Sequence, residues 1–129
     1  MKDKPSKKKL LSSKIVDLSF LIDNLSDDLE QLALMIHMFL GQSQDKVTLL
    51  IESLQKKDYV TIKATAHFLK SSFTIMGLQS KDLLSEIELL SSQSKEIEKI
   101  TSLSNLVLIN FNESVIEYEK ILKNIQSKT

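Results

Sequence analysis

Apolar residues recur along this chain at intervals of three and four, the spacing that lines one face of an α-helix. Leu18, Phe20, Leu21 and Leu25 predict a short helical lead-in. Ser26-Asp27-Asp28 then supplies a cap and first-turn acids, and Leu29, Leu32, Ile36, Phe39 and Leu40 form a stripe predicted to stop at Gly41. A further stripe runs through Val47, Leu50, Ile51 and Leu54 to a polar joint at Lys56-Lys57-Asp58. Asp58 can cap the next helix, whose core residues Ile62, Ala66, Leu69, Phe73 and Met76 lead to Gly77. Ser80 can cap another, striped by Leu83, Leu84, Ile87 and Leu90 and followed by the loop Ser91-Ser92-Gln93-Ser94. A last long helix is predicted from Glu96 or Ser102 to Ile125, carrying Leu103, Val107, Phe111, Ser114, Tyr118, Ile121 and Ile125.

Amphipathic helices with short connections fold back on one another, so the expected class is all-α. The expected architecture is an up-and-down antiparallel four-helix bundle with a short additional N-terminal helix. Composition agrees, because two glycines and one proline are too few for the turns of an all-β chain. A length of 129 residues predicts one domain, taken as residues 15–129 after a disordered basic tail over 1–14. That tail holds five lysines against Asp3 in its first nine residues. A solubilising end is the expectation, with no nucleic-acid role. No apolar run has the ~20 residues of a membrane span, and no signal-peptide segment follows the lysines, so a cytoplasmic location is expected. The absence of cysteine excludes disulfides and thiolate metal sites.

Chemistry concentrates on the helix from Asp58 to Met76. With Ile62, Ala66, Leu69, Phe73 and Met76 facing the core, His67 points the other way, among Lys63, Lys70, Ser71 and Thr74. An exposed imidazole offers a nucleophilic nitrogen at neutral pH. Lysines one turn away on either side can offset a dianionic phosphoryl group, and Ser71 can hydrogen-bond to it. That face is expected to hold cations and hydroxyls with no carboxylate, and no acid or second histidine lies one turn from His67, which argues against a metal site or a hydrolytic dyad. His37 is read as a boundary residue of the first long helix without a chemical role.

The run Ala66-His67-Phe68-Leu69-Lys70-Ser71-Ser72, with Met76-Gly77 after it, resembles the signature of histidine-containing phosphotransfer (HPt) domains. That signature reads Ala-His-x-Leu-Lys-Gly-Ser, then a helix-ending Gly. Asp17-Leu18-Ser19-Phe20-Leu21 looks like the family's lead-in, and Phe39-Leu40 like the end of its next helix. Lys57-Asp58-Tyr59 is similar to its Gly-Asp-aromatic joint, so the resemblance spans residues 15–125. It implies that His67 is the phosphoacceptor and Lys70 the charge-neutralising partner. The partner would be a response-regulator receiver domain supplying the aspartate and the Mg²⁺, with a hybrid sensor histidine kinase upstream. The chain itself would be a monomeric carrier, without cofactor or ATP-dependent activity. Ser71 departs from the pattern, standing where the family has a Gly that leaves room for the receiver, and reads as a variant that narrows partner choice. Phe68 and Ile75, on one flank of the helix, are candidates either for covering a neighbouring helix or, with Lys63, Ser71 and Thr74, for docking the partner. Two rival readings are the dimerising helical region of a sensor kinase, where an acid normally follows the histidine, and a helical scaffold that has lost phosphotransfer.

Overall fold

The structure, a computed structural model, describes residues 13–25 and 28–128. Five helices follow one another there, with no strand among the described residues: α1 (Ser19–Leu25), α2 (Leu29–Lys56), α3 (Tyr59–Ile75), α4 (Lys81–Ser92) and α5 (Ile97–Lys128). Each long helix packs on the next, and α2 also packs on α5, which closes a four-helix bundle; α1 lies against α2. The residues of the predicted basic tail up to Ser12 lie outside those described, as do Ser26 and Asp27.

The stripes became the core. Ile62, Ala66, Leu69 and Phe73 of α3 are inaccessible, as are Leu84 and Ile87 of α4 and Val107, Phe111 and Tyr118 of α5. The rings of Phe39, Phe73, Phe111 and Tyr118 knit α2, α3 and α5 together at centroid distances of 5.7 to 6.1 Å. Phe73 and Phe111 stack nearly parallel and the other pairs meet edge to face, an arrangement that adds to plain area burial. Burial pushes the phenol of Tyr118 well above the ordinary tyrosine range, with Asp17 adding to the shift. Its hydroxyl meets its hydrogen-bonding need inside the core by donating to the carbonyl of Met76.

Three expectations are corrected. Gly41 does not end a helix: α2 runs straight through it as one helix of 28 residues. Gly41 sits on an exposed side with nothing within 4 Å of where a Cβ would lie, so neither packing nor backbone geometry demands a break there. Ser80 stands at the N-cap of α4 but makes no capping bond. Its φ/ψ of −88°/7° lacks the extended backbone that aims a side chain at the next turn. The buried hydroxyl donates instead to Asn110 of α5. Ser91 and Ser92, predicted as loop, form the last turn of α4, and Ser91 is buried.

The joints around α3 decide where its face points. Lys57 takes a left-handed φ of 53°, its N–H reaches Leu54 O and the next N–H reaches Ser53 O, so α2 ends in a tight reversal. Asp58 then caps α3: one carboxylate oxygen accepts from Thr61 N at 3.2 Å and the other from Thr61 Oγ1 at 2.6 Å. At the far end Gly77, with φ 73°, closes the last turn through Leu78 N to Phe73 O at 2.9 Å. Asp17 N donates to Gly77 O at 2.8 Å, tying the segment before α1 to the end of α3.

Candidate functional site

His67 lies mid-way along α3, opposite the buried Ile62–Ala66–Leu69–Phe73 stripe, with its side chain 67% exposed. Lys70, one turn further on, is nearer the core edge at 32% exposure. From the neighbouring helix α4, Glu88 reaches between them. Its Oε2 stands 3.1 Å from Nδ1 of His67, and its Oε1 stands 2.7 Å from Nζ of Lys70. The latter approach is an ion pair, and Oε1 has no further partner among the described residues.

Glu88 is only 16% exposed, because it falls on the inward side of α4 with Leu84, Ile87 and Ser91. Burial works to raise its carboxyl, but the contacts with Lys70 and then His67 outweigh that, and the group is held below the usual glutamate range. It is therefore ionised at neutral pH. An ionised carboxylate only accepts, so Nδ1 of His67 must donate. In the neutral ring Nε2 then carries the free lone pair, and it has no partner among the described residues. The result is an exposed nucleophilic nitrogen with a cation stationed beside it.

Neither protein-family models nor curated protein sequences match this chain. Among solved structures, the crystal structure of histidine-containing phosphotransfer protein B from Pseudomonas aeruginosa PAO1 is similar at a TM-score of 0.78. The two share 18% sequence identity, and the likeness covers 87% of this chain and 97% of that one. The fold is that of a histidine-containing phosphotransfer protein. On this HPt fold the bundle and its short leading helix run in the order that the apolar stripes predict.

The remaining residues singled out from the sequence are distributed as follows. Lys63 and Ser71 are exposed on α3, and neither has a partner among the described residues. Thr74 is exposed, but its hydroxyl donates back to Lys70 O at 2.8 Å and so faces its own helix. Phe68 and Ile75 are half-buried and pack against the core, and each keeps an exposed edge. The ammonium of Lys46 on α2 lies 4.8 Å from the Phe68 ring centroid, a cation–π contact. Ile75 lines a groove of about 140 Å³ between α2 and α3, with Met35, Met38, Gln42 and Ser72 among its other walls. His37, expected at a burial boundary, is exposed and unpartnered among the described residues.

The expected surroundings of His67, cations and hydroxyls without a carboxylate, are corrected by Glu88. The contact crosses from one helix to the next over 21 residues, beyond any same-helix spacing rule. A signal was present nonetheless: Glu88 is an acid standing i+4 from Leu84 and i−3 from Ser91, on the stripe that α4 buries. An acid there needs a cation to face.

Proposed function

We propose that the chain is a phosphoryl carrier in a phosphorelay, with His67 accepting a phosphoryl group from the aspartate of a response-regulator receiver domain and returning it. One observation carries the reading: on an HPt fold, the exposed mid-helix His67 presents beside Lys70 an Nε2 without a partner among the described residues. The lone pair of Nε2 attacks phosphorus in line as the bond to the aspartyl oxygen breaks, and the reverse step regenerates the aspartyl phosphate. Lys70 offsets charge on the phosphoryl oxygens. The Mg²⁺ of the exchange belongs to the receiver. The chain adds no nucleotide chemistry, having no Gly-rich phosphate loop. A hybrid sensor histidine kinase is the upstream source, and a cytoplasmic monomer is the form in which such a carrier meets both partners.

The receiver would dock over the rim of α3 and the adjoining face of α2, meeting the exposed Ser71, the edge of Phe68 and the groove that Ile75 lines. Met38, 49% exposed, extends the apolar surface onto α2. Lys63 and Thr74 bound it. Incubation with a receiver domain carrying radiolabelled aspartyl phosphate tests the proposal. Wild type and His37→Gln should take label, while His67→Gln should fold normally and take none. Label on His67→Gln would show that another residue is the acceptor.

A further inference from the structure

We propose that Met38 is a reversible oxidation site: a peroxide converts its thioether to the sulfoxide in the groove between α2 and α3, and the carrier then binds its receiver more weakly. This rests on the carrier reading above. The chain has no cysteine, so its thioethers are the sulfur open to oxidation. Three of its four methionines, Met35, Met38 and Met76, line this one groove. Their exposure is graded. Met76 is 2% exposed, as a gap-filling core methionine is; Met35 is half-buried, and Met38 is 49% exposed. An oxidant arriving from solvent therefore meets Met38 first. Gln42 stands one turn on along α2 and lines the same groove, so its amide is within side-chain reach of an oxygen placed on that sulfur.

The step is a two-electron oxidation. The sulfur lone pair attacks one peroxide oxygen, and the S–O bond forms as the O–O bond breaks. The departing hydroxide takes up the proton released from the transferred oxygen and leaves as water, so sulfur is oxidised and the peroxide reduced. A thiol-dependent sulfoxide reductase reverses the change: two thiols become a disulfide, and the oxygen departs as water. Oxidation turns a flexible apolar side chain into a dipole that must stay hydrated or find a donor. Ser72 and Ile75, walls of the groove on α3, follow His67 by five and eight residues. Those separations are about 8 and 12 Å along the helix axis. A partner of ordinary footprint, about 800 Å² or roughly 30 Å across, covers the groove when centred on His67. None of His67, Lys70 and Glu88 lines the groove, so the chemistry of the imidazole is untouched.

The test treats the full chain with stepwise doses of hydrogen peroxide, as wild type, Met38→Leu and Met35→Leu. Peptide mass spectrometry reads which methionine gains an oxygen; Met1 is common to all three proteins and cancels between them. Receiver binding, helicity by circular dichroism and loading from phosphoramidate, whose P–N bond breaks to release ammonia, are measured before and after. In wild type Met38 should be converted before Met35 and Met76. The receiver Kd should then rise about tenfold, as expected when a dipole is buried without full hydrogen bonding. Sulfoxide reductase with its thiol reductant should restore the starting Kd. Phosphoramidate loading should hold steady, because the small donor does not use the groove. Met38→Leu, whatever its starting affinity, should keep that affinity through the treatment, and Met35→Leu should lose affinity as wild type does. A Kd that holds steady with Met38 fully converted, or rises equally in Met38→Leu, overturns the proposal. So does conversion of Met35 or Met76 ahead of Met38, or a fall in helicity or phosphoramidate loading as Met38 converts. In all of these cases the carrier reading stands if His67 takes label. An untreated wild type that neither binds a receiver nor takes label overturns both.

Discussion

The two glycines should respond oppositely to the same substitution. Gly77→Ala places a Cβ on the backbone of Asp17 and asks an L-residue to hold φ 73°. The left-handed backbone alone costs about 1–2 kcal/mol. The overlap cannot be relieved by a side-chain rotation, because the obstructing atoms are backbone. Relief requires the segment before α1 to lift, which loses the Asp17 N to Gly77 O bond, about 0.5–1.5 kcal/mol. It also loosens Val16, Leu18 and Leu21, now almost fully buried. Exposing even one such side chain adds about 1.5–3 kcal/mol. The sum is about 3–6 kcal/mol, a large share of the stability of an ordinary domain. Gly41→Ala meets open space inside a helix and should stabilise by about 0.5–1 kcal/mol. Urea unfolding followed by circular dichroism at 222 nm measures both on one scale. A Gly77→Ala protein within about 1 kcal/mol of wild type would refute the tie between the leading segment and the end of α3.

Lys70→Ala should slow phosphoryl transfer by about tenfold to a thousandfold, or about 1–4 kcal/mol of transition-state stabilisation, in single-turnover labelling assays. Lys63→Ala, which removes an exposed cation, should cost less; equal losses would assign the effect to general positive potential. Phe68→Ala removes a half-buried ring that packs on the core and beneath Lys46, so thermal melts should show a loss of about 1–3 kcal/mol, short of a full core truncation. Receiver titrations of the folded variant should add a binding loss of about 1–3 kcal/mol, and unchanged binding would remove Phe68 from the docking edge.

The helices and the outward aim of His67 were legible because both depend on 3.6-residue periodicity, which Ile62, Ala66, Leu69 and Phe73 state plainly. Asp58 was legible as a cap because its bond to Thr61 is local. Gly41 misled because glycine terminates helices only where the chain needs a left-handed residue, and the left-handed position between α2 and α3 is occupied by Lys57 instead. Ser80 misled because a hydroxyl beside a helix start can bond across the bundle as well as along the chain, and Asn110 lies 30 residues away. Glu88 was hidden for the same reason. Local spacing names the neighbours on one helix, whereas the partner of His67 and Lys70 depends on how α3 and α4 are rotated against each other.

The hydroxyl of Tyr118, donating to Met76 O from inside the core, gives the molecule an optical reporter of its own. There is no tryptophan, and Tyr59 and Tyr118 are the two tyrosines, so near-ultraviolet bands come from few chromophores. Because burial raises the Tyr118 phenol, the folded chain keeps it protonated at pH values where an unfolded tyrosine, near pH 10, has ionised. Its contribution to stability is therefore complete below about pH 10 and is lost as alkalinity rises above that value. The tyrosinate absorbance of this one ring would rise only as α5 parts from the end of the histidine helix. An alkaline titration thus becomes a spectroscopic record of the bundle opening, read without any attached label.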